Sequence, residues 1–184
     1  MNLSAYKEKL LKFNSSEKYK GEMDFMLRLM KIDDGQKVLD YGCGIGTMID
    51  YLSIHTKGNI FGYDKFDFFN SNPPFNIRGK YHFTFDKVYF MHSFAHIENI
   101  NYVLEKLSDL CNLGTDIYVL TPNSEWLAMQ DDKLYEKDLT VIHHYSMIEL
   151  IESFSINNYK LISIGQYGKI CVNINERIFA HFKK

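Results

Sequence analysis

Lys37-Val38-Leu39-Asp40-Tyr41-Gly42-Cys43-Gly44-Ile45-Gly46-Thr47 decides how this chain is read, because an apolar strand there runs into a glycine-rich turn and then into a helix. Val38 and Leu39 read as a short buried strand, and glycines at every second position let the backbone take positive φ and approach a ligand. From Thr47 the pattern is helical, with Met48, Ile49, Tyr51 and Leu52 on the apolar side and Gly58-Asn59 expected as the stop. The free N–H groups at the start of such a helix face the turn. A ligand belongs there.

The spacing narrows the ligand. A dinucleotide fingerprint needs Gly-x-Gly-x-x-Gly, whereas here the third glycine, Gly46, comes one residue early and Thr47 stands in the dinucleotide position. No Gly-Lys-Ser/Thr follows, which excludes a P-loop. Asp40 closes the strand just before the first glycine, and an acid there suits a cationic group better than a pyrophosphate.

Asp40-Tyr41-Gly42-Cys43-Gly44-Ile45-Gly46 resembles the first motif of the class I S-adenosylmethionine-dependent methyltransferases: an acid, one residue, then Gly-x-Gly-x-Gly after a hydrophobic strand. Phe85-Asp86-Lys87-Val88, a histidine soon after it and Thr121-Pro122-Asn123 make the chain most similar to the small-molecule methyltransferases of that superfamily. The resemblance covers roughly residues 18 to 183. It implies a three-layer α/β sandwich around a doubly wound, mostly parallel, seven-stranded sheet of the Rossmann-like methyltransferase type. It implies S-adenosylmethionine as cofactor, with Asp40, Gly42, Cys43, Gly44 and Gly46 at the methionine portion and Asp64 and Lys65 at the ribose. Met91 and His92 would line the next strand's end.

Bulk properties agree with one domain over residues 1–184, since no linker, charge block or repeat divides the chain. The apolar runs are too short for a membrane span, and Met1-Asn2-Leu3-Ser4 lacks the start of a signal peptide, so a cytoplasmic protein without membrane contact is expected. Cys43, Cys111 and Cys171 are scattered, without the spacing of a disulfide framework or a zinc site, and no metal is expected. A formal charge of -2 lacks the basic excess that grips a nucleic-acid backbone, which makes nucleic acid an unfavoured partner.

Outward from the turn toward the N-terminus, Leu3, Tyr6, Leu10 and Leu11 predict one amphipathic helix. Ser15-Ser16 caps a second, with Met23, Met26, Leu27 and Met30 buried and Asp33-Asp34-Gly35 ending it. These N-terminal helices occupy residues 1–34. The resemblance sets the segment before the first strand across the cofactor cleft, which brings Tyr19 and Lys20 into consideration.

In the other direction, Asn59 to Asp64 reads as a second strand ending in an acid, 24 residues beyond Asp40. An acid at the end of the neighbouring strand reaches the ribose of a nucleotide resting on the glycine turn. Only 22 positions then separate Asp64 from Asp86, so the third-strand region is shortened. Asn72-Pro73-Pro74-Phe75 breaks any helix there. The same four residues are a catalytic signature in amino methyltransferases acting on adenine or glutamine, but there they follow the fourth strand, and here they precede it. An ordinary proline turn is the better reading. Phe66, Phe68, Phe69, Phe75, Tyr81, Phe83 and Phe85 crowd the region as an aromatic floor for adenine or as core.

Phe85 to Met91 is the expected fourth strand. His92-Ser93-Phe94-Ala95-His96 follows, where α/β enzymes place their chemistry. The family often has Glu-His here; His96 matches the histidine and Ala95 replaces the acid. A helix from Val103 to Cys111 and a strand from Thr115 to Leu120 continue the alternation. Thr121-Pro122-Asn123 then opens a lid over the acceptor, about residues 121–146, with Asn123 and His143 as acceptor contacts. His143 and His144 point opposite ways in an extended segment, and without further ligands they are a poor metal site. Ser146 caps a last helix, and Tyr159–Ile164 and Arg177–Phe182 are two final strands, expected to join through a turn at Gly168.

The expected activity is methyl transfer from S-adenosylmethionine to an oxygen or nitrogen of a small-molecule acceptor, with His96 and His144 as candidate bases. Protein or nucleic-acid methylation is one alternative. A non-catalytic cofactor-binding subunit or regulatory module is the other.

Overall fold

The computed structural model describes residues 3–65, 83–128, 141–171 and 174–184. Six strands form one sheet in the order β2-β1-β3-β4-β6-β5. They are β1 (Lys37–Tyr41), β2 (Asn59–Tyr63), β3 (Phe85–Met91), β4 (Cys111–Pro122), β5 (Lys160–Cys171) and β6 (Ile174–Lys183). The pairs among β1 to β4 are parallel, and β6 enters antiparallel between β4 and β5. The doubly wound α/β sandwich stands, with six strands among the described residues in place of the expected seven. Asn72-Pro73-Pro74-Phe75, the aromatics Phe66, Phe68, Phe69 and Tyr81, and residues 129–140 of the expected lid lie outside the described residues.

Alternation along each strand builds two cores. Leu39, Val88, Phe90, Ile117, Val119, Ile178, Ala180 and Phe182 point to one face and pack against Leu104 and Leu107 of α4 (Ile100–Asp109) and Leu150 and Phe154 of α6 (Met147–Ile156). Their neighbours Val38, Tyr89, Met91, Tyr118 and Leu120 point to the other face. There they meet Met23, Met26 and Met30 of α2 (Glu17–Met30) and Met48 and Leu52 of α3 (Thr47–His55). A side-chain period of two on the strands and helices on both faces give the three layers.

Local chemistry sets the boundaries. Ser16 caps α2 by accepting the Tyr19 N–H, and Lys31, with φ 45°, ends it. Ser146 and Glu149 form a reciprocal capping box at α6. α3 stops earlier than expected, at His55, and Asn59 already belongs to β2. In α1 (Leu3–Asn14), Leu11 is 52 % exposed, so the apolar stripe is narrower than its leucines suggest. Gly168, expected in a turn, lies inside β5 at φ 96°, where two residues of β5 face one of β6. It forms a glycine bulge, which the extra residue requires. Thr121 and Pro122, expected beyond the strand, complete β4. A short α5 (Ser124–Ala128) follows.

Candidate active site

The strand order reverses between β1 and β3, and the glycine turn leaves β1 at that switch point, where such sheets hold ligands. Gly42, Gly44 and Gly46 all have positive φ. Gly42 has a second constraint: a Cβ there would come within 2.2 Å of the Ser93 Cβ. Ser93 also donates its hydroxyl hydrogen bond to the Tyr41 carbonyl, tying the turn to the end of β3. The Tyr63 carbonyl accepts the Gly42 and Cys43 N–H groups, and Asp64 Oδ2 accepts the Gly44 N–H at 2.8 Å. Asp64, expected at the ribose, is thus brought to the glycine turn. Gly62 completes the contact, since a side chain on it would strike Ile49 and Cys43. Lys65 is exposed beside Asp64.

α3 begins with Gly46 as N-cap and no side-chain hydrogen bond there. α1 crosses in front of the turn, with Leu10 3.5 Å from where a Gly44 Cβ would stand and Asn14 Nδ2 donating to Thr47 Oγ1 at 2.8 Å.

Beneath the turn, Asp40 is 3 % exposed and Tyr89 is its register partner on β3. Burial pushes the Asp40 carboxyl up to about 8, Asp64 adds to the rise, and the nearby Tyr89 hydroxyl opposes it. That hydroxyl is fully buried beside Asp40, and burial and the Asp40 carboxyl raise its own pKa well above the ordinary phenol value. Burial, then Asp40 and Asp64, also raise the Cys43 thiol, which makes it a poor nucleophile. These residues fit a ligand with one cationic end: a glycine turn with positive φ and no room for a Cβ at Gly42, set above a buried acid. Tyr19 faces this cluster, whereas Lys20 is exposed.

A buried ion network fixes α2 beside the turn. Glu22 accepts from Arg177 Nε at 3.0 Å and from His92 Nε2 at 2.8 Å, and Arg177 also meets Glu176 at 3.3 Å. Lys18 bonds the same Glu176 oxygen, Oε1. Burial alone would raise Glu22, but His92, Arg177 and Lys18 together bring it down to about 2. Burial lowers His92 more than Glu22 raises it, so the imidazole is neutral near pH 7 and donates its N–H; the charge opposite Glu22 is then chiefly Arg177. His92 has φ 60°, its N–H bonds the Leu120 carbonyl, and its ring sits between Phe13 and Tyr19. A non-glycine residue in this region marks a special position. Met91, beside it, is buried.

None of Glu22, Glu176, Arg177, Ser93 and Tyr89 was among the residues expected from sequence. Glu22 carried a legible signal: it lies four and eight residues before Met26 and Met30, an acid on the buried stripe of a helix.

The histidines divide into two settings. His96 ends a short 3-10 turn, Phe94–His96, and the buried Ala95 carbonyl accepts the N–H groups of Ile142 and His143. This brings the segment of His143 and His144 onto the end of β3. Burial lowers the His144 pKa, with His143 and His96 adding to it, and its Nδ1 is shielded without a partner. His143 turns outward, 3.5 Å from Glu149, into a groove of about 430 Å³ between α4 and α6. Asn123 is fully buried, and the chain uses its amide: Nδ2 donates to the Asn175 carbonyl and Oδ1 accepts the Glu125 N–H. Asn123, expected at the acceptor, thus joins β4 to β6 and α5.

Comparison with known proteins agrees with this geometry. Residues 13–164 match the model of a methyltransferase domain family. No curated protein sequence matches. Among solved structures, an S-adenosylmethionine-dependent methyltransferase from Archaeoglobus fulgidus is similar at 16% identity and TM-score 0.72, over 97% of this chain and 99% of that one. One from Aquifex aeolicus follows at 16% and 0.71, over 96% and 97%. Magnesium protoporphyrin IX methyltransferase from Synechocystis, with SAH bound, matches at 12% and 0.65, over 90% and 83%. The family match spans the turn, β1 to β4 and both helical layers, and the chain belongs to the methyltransferase domain family.

Proposed function

We propose that the enzyme uses S-adenosylmethionine as cofactor and transfers its methyl group to an oxygen or nitrogen of a small-molecule acceptor, and that His144, beside His96, borders the acceptor. The observation that carries this is the shielded, unpartnered Nδ1 of His144 near His96 past the end of β3. The cofactor supplies a methyl group on a positive sulfur, already primed for in-line displacement. The chain must align the acceptor, exclude water and, for a hydroxyl, take a proton. An imidazole that is neutral at pH 7 can take it. In this reading Gly42, Cys43, Gly44 and Gly46 bring backbone to the methionine portion, Asp40 faces its cationic end, Asp64 and Lys65 serve the ribose, and Met91 and His92 close the side nearest β3.

The near-neutral chain supports a small acceptor over a nucleic acid. The Synechocystis relative is named for a porphyrin, which supports the same class. A metabolite extract supplied with cofactor carrying a radiolabelled methyl group tests this: label should enter small molecules, and label in protein or nucleic acid instead would refute it. Once an acceptor is known, His96→Ala or His144→Ala should lower kcat by about 10²–10⁴ with cofactor affinity unchanged. A variant with unaltered turnover removes its histidine from the mechanism.

A further inference from the structure

Two helices precede the first strand, and they are held very differently. α2 carries the buried Tyr19, Glu22, Met23, Met26 and Met30, and Glu22 ties it to β6 and to the end of β3. Among the described side chains of α1 none is buried. Ser15 and Ser16 join the two, and Ser16 already belongs to α2 as its N-cap. The last turn of α1 bridges the two sides of the candidate site. On one side Asn14 Nδ2 donates to Thr47 Oγ1 at 2.8 Å, at the start of α3. On the other the Phe13 ring stands edge-on to the His92 ring, centroids 5.6 Å apart, and packs on the Tyr19 ring at 5.2 Å. One turn back, Leu10 reaches within 3.5 Å of where a Gly44 Cβ would stand. A ligand cannot approach the Gly44 backbone from that side while Leu10 is there. Asn14 and Phe13 grip Thr47 and His92 at the rim, so α1 can settle again above a bound ligand once the Leu10 side chain turns aside.

We propose that α1 is a strap over the cofactor site: it swings about Ser15-Ser16 to admit S-adenosylmethionine and closes over it through Asn14 on Thr47 and Phe13 on His92. This rests on the reading that places the cofactor at the glycine turn. The moving helix and its two latches are what it adds. An element with little buried surface opens at a low free-energy cost, while one anchored in the core stays closed. Opening α1 breaks the Asn14 hydrogen bond and uncovers Leu10 and a Phe13 that is already 37 % exposed. Moving α2 would instead strand the buried charges of Glu22 and Arg177, a far larger penalty. A change of backbone torsion at a few positions of the joint is enough for the motion.

Association and dissociation rates of S-adenosylhomocysteine on the immobilised full chain, read by surface plasmon resonance, test this. A latch that holds the strap equally with and without ligand slows entry and exit alike, so loosening it raises both rates and leaves Kd unchanged. Asn14→Ala should raise both about 5-fold, as for the loss of one hydrogen bond. Phe13→Ala should likewise raise both. Leu11→Ala, on the exposed side of the same helix, should change neither. Asn14 is partly exposed, so its variant should keep the melting temperature of the wild type, and a change in its rates cannot be assigned to misfolding. Hydrogen exchange in the ligand-free chain should be faster in α1 than in α2. Unchanged rates in both latch variants would overturn the proposal. So would a rise in dissociation alone, the mark of direct contact with the ligand, or a rise in association alone, the mark of a strap that competes with it. Exchange in α1 as slow as in α2 would also overturn it. Absence of any binding by the wild-type chain would instead overturn the reading beneath it.

Discussion

At Gly42, conformation and space agree: φ is 88° and a Cβ would overlap Ser93. Gly42→Ala should therefore destabilise the fold by about 1–3 kcal/mol, from left-handed strain plus the clash. Urea unfolding would measure this, and calorimetry should find cofactor binding lost in the part that folds. Asp40 makes a different residue-scale prediction. Its folded pKa is raised above the unfolded value, so its contribution to stability is full below about 4 and is lost as pH rises through about 8. Thermal melts of the ligand-free protein should decline across that window, and Asp40→Asn should flatten the decline. A wild-type profile with no decline would show that Asp40 carries its charge at no cost.

At the scale of elements, α2 is held by ions as much as by its methionines. Glu22 is 2 % exposed and joins α2 to β6 through Arg177 and to the end of β3 through His92. Removing one member of a buried pair typically costs about 3–5 kcal/mol, and Glu22→Gln should fall near the lower figure because the amide still fills the space. The sign with pH is opposite to that of Asp40. The Glu22 pKa is depressed, so its stabilisation is present above the unfolded value and fades as pH falls from about 4.5 toward about 2. Acid unfolding of the wild type should be steep there, and of Glu22→Gln shallow. α6 offers a contrast. Ser146→Ala removes the capping box at a cost of about 1 kcal/mol, and since α6 packs on the face opposite Asp40, cofactor affinity should be unchanged. A loss of affinity in that variant would show that the two layers are coupled.

Over the whole molecule, the glycine turn and the strands around it were legible because their signals are local. Val38-Leu39 before the glycines, Asp64 after β2 and Phe85 to Met91 each announce themselves within a few residues. Gly168 was misread because a glycine with positive φ serves a turn and a bulge equally, and only its pairing with β6 separates the two. Arg177 and Glu176 were illegible because their partners, Glu22 and Lys18, lie more than 150 residues away, and a charge in a strand reads as solvated until its partner is known. The hydrogen bonds of Asn123 were illegible for the same reason: a polar residue after a strand suggests a ligand contact, and only the fold shows that Asn175 and Glu125 use its amide. The central claim is that the turn and the acid after β2 hold the cofactor together. Titration of wild type and Asp64→Ala with S-adenosylhomocysteine, followed by calorimetry, tests it most directly. Saturable binding of one ligand by the wild type, weakened by about 1.5–3 kcal/mol in the variant with little change in its melting temperature, is the predicted result. Equal affinity in the two proteins would contradict it.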